Sequence, residues 1–178
     1  SKEKSIKISL NKTQSYVRLG ILFKMNKDEE AVFRVLASVL SQNLSQNLRE
    51  RKGLSYSLGA GFSMHGKYGL FQIAAGTRAE TLGEVEKGIY KEMEQIKKEI
   101  ISSSRLKKLI NLYNSKRLMR SLTRIGQCYQ AGLNEFYGKL FNHNEELLNK
   151  IKKLSSDEIQ KRALNYLKRE NMVKIIVE

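Results

Sequence analysis

A single glycine, Gly53, separates a segment with helical apolar periodicity from one that alternates, so the chain passes from helix to strand through one tight turn. Upstream, Ala31, Val32, Val35, Leu36, Val39 and Leu40 recur on one helical face, and Asn26 with Glu29 has the spacing of a capping box at the start of that helix. Downstream, Tyr56, Leu58, Ala60 and Phe62 alternate with Ser55, Ser57, Gly59 and Gly61, the two-residue period of a strand. The serine and glycine face leaves room for a ligand, or for the close approach of a helix. The junction also sets Arg49 and Tyr56 on either side of one turn. A guanidinium fork and a phenolic hydroxyl form a donor pair suited to gripping a peptide carbonyl or a developing oxyanion.

The rest of the chain supplies partners for that junction. Val17, Leu19, Ile21, Phe23 and Met25 alternate, predicting a half-buried strand over residues 16–25. Ile6, Ile8 and Leu10 alternate before it, so residues 1–14 read as a linker arm or an edge strand. His65, Gly66 and Lys67 predict a hairpin turn between the strand beginning at Ser55 and a second one over residues 68–75. Leu82, Val85, Ile89, Met93, Ile96 and Ile100 follow one helical seam, and Ser102 to Ser104 can cap a further helix. Leu118, Leu122, Ile125, Tyr129, Leu133 and Phe136 extend the helical pattern, with a break between Ser121 and Gly126. Ser155 and Glu158 form another capping box, and residues 172–177 close the chain as a strand. Strand, helix, hairpin, a block of helices and a final strand predict an α+β fold, an antiparallel sheet covered by a layer of helices.

At 178 residues, one domain spanning residues 1–178 is the expectation, and no window approaches the ~20 apolar residues of a membrane span, so a soluble chain is expected; no secretory signal is visible, and the cytoplasm is the default expectation for a compartment the sequence does not specify. The chain begins at Ser1 rather than a methionine, which reads as a fragment or a processed product. The single cysteine, Cys128, falls at an apolar position of a helical pattern and reads as a buried thiol. The net charge of +15 favours anionic partners, but the lysines and arginines spread over several helix faces. Arg117, Arg120 and Arg124 fall on one helical stripe without interleaved aromatics, which predicts a solvated face and no specific nucleic-acid site.

Catalytic chemistry is largely absent. A zinc-hydrolase site needs paired histidines on one helix with a glutamate beside them. His65 and His143 stand far apart, the first in a hairpin turn and the second near a helix start, both read as exposed. No nucleophile elbow, phosphate loop or dinucleotide-binding glycine set is present. The chain is therefore expected to hold no metal and to be inactive on its own.

Arg49, Gly53, Leu54 and Tyr56, in the order strand, helix, turn, hairpin, helices and capped final helix, resemble the C-terminal domains of the pitrilysin/insulinase family of zinc metallopeptidases, which includes the processing peptidases. The resemblance covers nearly the whole chain. It implies a metallopeptidase domain without the family's His-x-x-Glu-His, working with an upstream zinc-bearing domain or partner subunit, as a homo- or heterodimer and without a membrane. It implies that Arg49 and Tyr56 reach across to the zinc domain, touch the substrate backbone and help stabilise the tetrahedral intermediate. Gly53, Leu54, Ser55 and Ser57 are then the substrate-binding turn. Where relatives have a glycine-rich turn and a Ser-Arg pair, this chain reads Ser41-Gln42-Asn43-Leu44-Ser45-Gln46-Asn47, which leaves the local geometry open. The alternatives are a non-proteolytic assembly relative of the same fold, or a basic module that binds nucleic acid or acidic proteins.

Overall fold

The computed structural model describes residues 4–10 and 13–178. The chain runs through β1 (Lys4–Ile8) and β2 (Gln14–Lys24) into helix α1 (Glu30–Leu44), which continues as a wider π-helical stretch, Ser45–Glu50. The hairpin β3 (Ser57–His65) and β4 (Tyr68–Arg78) follows. Then come the helices α2 (Leu82–Lys98), α3 (Ser103–Ser121), α4 (Arg124–Phe136), α5 (His143–Lys152) and α6 (Ser156–Tyr166), and strand β5 (Val173–Val177).

Strand order is β1-β5-β2-β4-β3. Three of the pairings are antiparallel, as alternation and the hairpin predict, and β1 lies parallel to β5 at the edge. The four strands expected to form the antiparallel sheet do so, and β1, read as a linker or edge strand, is added at the edge parallel to β5. Of the proposed leading arm, residues 4–8 are this edge strand, while residues 1–3 and 11–12 lie outside the described residues.

One sheet face carries the core. Val17, Leu19 and Ile21 of β2 pair with Ala75, Ile73 and Phe71 of β4, and all six are buried. Tyr16, Arg18, Leu22 and Lys24 alternate onto the opposite face and are exposed. The expected capping box opens the first helical segment: the Asn26 N–H donates to Glu29 Oε2 at 3.1 Å. Helix α1 then buries Val32, Phe33, Val35, Leu36, Val39 and Leu40 against the sheet. Phe23, Phe33, Phe62 and Tyr166 meet at one end, with Phe33 edge-on to Tyr166 at 5.0 Å, joining β2, α1, β3 and α6 in one aromatic cluster. Such clusters contribute beyond their buried area, about 0.5–1.5 kcal/mol per pair.

The helical block behaves differently. The break falls where the sequence places it: α3 ends at Ser121 and Thr123 caps α4, its hydroxyl accepting from the Gly126 N–H at 3.1 Å. Yet the apolar stripe beyond it is exposed, Ile125 at 84% and Phe136 at 79%, and so is Cys128. The expected buried thiol is thus an outward one, because α4 turns its apolar face away from the core. The break also splits the arginine stripe, leaving Arg117 and Arg120 on α3 and Arg124 at the first position of α4.

Candidate functional site

The Gly53 turn is tied down from both sides. Gly53 takes a left-handed φ of 62°, which a glycine adopts without strain. Its N–H donates to the Arg49 carbonyl at 3.0 Å and the Leu54 N–H to the Leu48 carbonyl at 2.9 Å, closing the end of the π-helical stretch. Leu54 is buried in the core, and its carbonyl accepts from the Thr77 hydroxyl. Ser55 is buried as well, and its hydroxyl donates within 2.7 Å of the Gly76 carbonyl. The turn is therefore held against the end of β4.

This anchoring changes the phase of the strand. Alternation groups Tyr56 with Leu58, Ala60 and Phe62, but regular pairing starts only at Ser57. Tyr56 occupies a bend before it. Its ring lies over Gly76, where an added Cβ would come 2.7 Å from the Tyr56 hydroxyl oxygen, beside Tyr16 on the uncovered sheet face. The ring is about half exposed, at 52%. Its hydroxyl donates to Gln14 Oε1 at 3.0 Å, and the Tyr16 hydroxyl donates to the same oxygen at 2.9 Å. The adjacent Tyr16 hydroxyl, with lesser help from desolvation, holds the Tyr56 phenol above its ordinary range, so it stays protonated at neutral pH. Gln14 is the site neighbour that sequence reasoning missed. Its only signal was a polar residue at the mouth of a strand.

Arg49 belongs to the π-helical stretch. Its guanidinium stands 4.0 Å from Glu50 Oε1 with its side chain about half exposed, so the fork is open to solvent. No hydrogen bond joins Arg49 to Tyr56 among the described residues. Beneath Arg49, Leu48 is buried and packs on α2 so closely that a Cβ on Gly88 would come 2.3 Å from it, and Asn47 Nδ2 donates to the buried Glu92 at 2.8 Å. Ser41 to Asn47, where relatives turn on glycines, is helical throughout. Of the proposed substrate-binding turn, Gly53 and exposed Ser57 reach solvent, whereas Leu54 and Ser55 anchor it. Gly59 shows the close-approach reading, since a Cβ there would come 3.1 Å from Ser41 Oγ of α1.

A second polar cluster lies away from this face. Glu30, fully buried, accepts from Arg34 at 2.7 Å and meets Lys139 Nζ at 3.4 Å and His143 Nε2 at 3.2 Å. Burial opposes its ionisation, but Arg34, Lys139 and His143 outweigh that and hold its carboxyl below the ordinary range. Burial, then the Lys139 ammonium, push His143 below its ordinary range against the pull of Glu30. His143, expected to be exposed, is thus partly buried as a brace between α5 and α1. His65 is exposed, edge-on to Tyr137.

Among the described residues no three His, Cys, Asp or Glu side chains gather as metal ligands. Where a histidine does meet a carboxylate, at His143 and Glu30, Arg34 and Lys139 fill the remaining space with positive charge, which does not fit zinc. No helix among the described residues is long and apolar enough to cross a membrane.

A family model described as the peptidase M16 inactive domain matches residues 1–113. A comparison with curated proteins returns no match. Among solved structures, a peptidase M16 inactive domain from Pseudomonas fluorescens aligns at a TM-score of 0.83 and 19% identity, over 99% of this chain and 43% of that one. A protease from Helicobacter pylori aligns at 0.88 and 14%, over 99% and 44%. The inactive peptidase domain of a Bordetella parapertussis protein assigned as a zinc protease aligns at 0.76 and 12%, over 90% of each. At these identities the likeness is one of fold, and the chain spans less than half the length of the first two.

Proposed function

The chain belongs to the peptidase M16 inactive-domain family, and from that premise we propose that it is the non-zinc-binding half of a zinc-dependent peptidase, contributing Arg49 and Tyr56 to peptide binding and to stabilising the transition state. The zinc, its histidines and the general base belong to a separate domain or subunit in this reading. That metal polarises the scissile carbonyl and activates water when bound. The residues of this chain bind and orient the peptide.

The observation that carries the reading is the anchored turn. Leu54 and Ser55 fasten it to β4, which leaves Tyr56 displayed on the one sheet face that no helix covers. Arg49 presents an open fork from the adjoining helical stretch, suited by its fixed planar geometry to a carbonyl oxygen gaining negative charge. Rigid presentation of donors matters because orientation achieved before substrate arrives need not be bought at the transition state.

The assembly-subunit alternative differs in one respect: it makes no demand on Arg49 or Tyr56 as free side chains. Reconstitution separates the two. The chain mixed with its zinc-bearing domain should cleave an extended, unstructured peptide, while neither part alone should turn over at a comparable rate. A zinc-bearing domain fully active without this chain would remove the proposal.

A further inference from the structure

Helix α4 turns an apolar stripe outward. Leu122 before it, then Ile125, Tyr129 and Phe136, are each at least 68% exposed, and Cys128 lies exposed within the stripe. A Cβ added at Gly132 would meet nothing within 4 Å, so another backbone can come close at the middle of the helix. The stripe is held in place from below: the Gln127 side-chain amide donates to the Ser121 carbonyl at 2.8 Å, and Gly126 packs on the Arg120 carbonyl, fastening the start of α4 to the end of α3. Arg120 and Arg124 are exposed beside the stripe, and neither joins an ion pair among the described residues. From residue 100 to residue 134 the chain has lysines and arginines but no aspartate or glutamate. Exposed apolar faces rimmed by polar groups mark interaction sites, and aromatic residues with arginine are the types that concentrate in protein interfaces.

Charge decides what covers this face. A second copy docked through a two-fold contact would bring the same arginines together, and one docked by its uncovered sheet face would set them against exposed Arg18 and Lys24. At a net charge of +15 the chain repels itself. We propose that α4 with the end of α3 is the docking surface for the zinc-bearing domain, which meets Leu122, Ile125, Tyr129 and Phe136 with an apolar surface and Arg120 and Arg124 with aspartates or glutamates. This rests on the peptidase reading above and adds the contact that assembles it. More than half of each of the two longer relatives lies outside this fold, the mass that such a covering domain supplies. The apolar stripe gives the affinity, and the arginines set the approach and the register.

The test takes Cys128 as a probe in the reconstituted peptidase. Iodoacetamide should label Cys128 in the isolated chain, and the reaction should be lost when the zinc-bearing domain is added. Ile125→Asp and Tyr129→Ala change exposed side chains, so both should melt like the wild type. Each should weaken assembly by roughly 30-fold, the loss of a central interface contact. Their kcat with the zinc-bearing domain in saturating amount should be unchanged, since neither touches substrate. Arg120→Glu with Arg124→Glu should weaken assembly at low salt and abolish the salt dependence of the wild type. A complex that cleaves peptide with Cys128 still reactive, and with Ile125→Asp assembling like the wild type, would overturn the inference and leave the peptidase reading intact. An isolated chain that sediments as a dimer with Cys128 protected would give the face to a second copy and overturn it too. The same holds for binding to vesicles of phosphatidylcholine and phosphatidylglycerol that Ile125→Asp abolishes, with Cys128 reactive in the complex. No complex at all would remove both the inference and the reading it rests on.

Discussion

The Ser55 hydroxyl donates to the Gly76 carbonyl over 2.7 Å, and that bond, 21 residues across the chain, decides where Tyr56 stands. With Ser55 turned inward to β4, the next side chain is carried onto the uncovered face. Replacing Ser55 by Ala removes the buried donor and should cost about 1–3 kcal/mol in stability, the range for a lost partner to a buried polar group. Denaturant unfolding measures the loss. The same variant should free Tyr56 from its place over Gly76, read as faster amide exchange at residues 54–57. Unchanged exchange would mean that packing of Leu54 alone holds the turn.

Gly53→Ala tests the other anchor. The left-handed φ of 62° is costly for a residue with a Cβ, although nothing lies within 4 Å to clash with it. The expected cost is roughly 1–2 kcal/mol. Gly53→Asn should cost less, since asparagine tolerates this conformation. Thermal melting of the two variants side by side gives the order.

The brace around Glu30 makes the fold acid-sensitive. His143 sits below its ordinary range in the folded chain, so the unfolded chain binds its proton first, and stability declines as pH falls below about 6.5. Glu30, also held low, adds a second decline below about pH 4.3, where the unfolded carboxyl protonates before the folded one. Stability from both groups is fully present above those values. A drop in Tm of roughly 2–4 °C per kcal/mol lost is expected for a chain of this size. His143→Gln should flatten the first decline and leave the second, as melting curves from pH 8 to pH 4 would show.

Cys128 should alkylate in the native chain at close to the rate of the unfolded one. Its α4 surface is exposed, and the neighbouring Ile125 and Tyr129 are 84% and 68% exposed. Mass spectrometry of iodoacetamide-treated protein with and without denaturant gives the ratio. Strong protection in the native state would show α4 folded back onto the core.

Much of this architecture was legible in the sequence, and the failures have physical causes. The Val17, Leu19 and Ile21 alternation and the α1 and α2 seams placed the core because burial enforces their period. The Ser155–Glu158 capping box is present, the Ser155 N–H donating to Glu158 at 2.8 Å. Tyr56 fell on the opposite face from its apparent register because a bend stands between Ser55 and Ser57, and periodicity cannot see a one-residue change of phase. Cys128 and the α4 stripe carry the helical period of a buried face, but period reports that a face is apolar and not what covers it. Gln14 and Tyr56 lie 42 residues apart, and only the sheet's pairing brings them together.

The central claim is that Arg49 acts on substrate, and steady-state kinetics of Arg49→Ala in the assembled peptidase test it most directly. The exposed side chain makes no contact whose loss should unfold the protein. The account predicts a fall in kcat/KM of roughly 10- to 100-fold, the worth of a hydrogen bond from a charged donor, with Tm and zinc content unchanged and only partial recovery in Arg49→Lys. Wild-type kcat/KM in Arg49→Ala, with the protein folded and zinc-loaded, would contradict it.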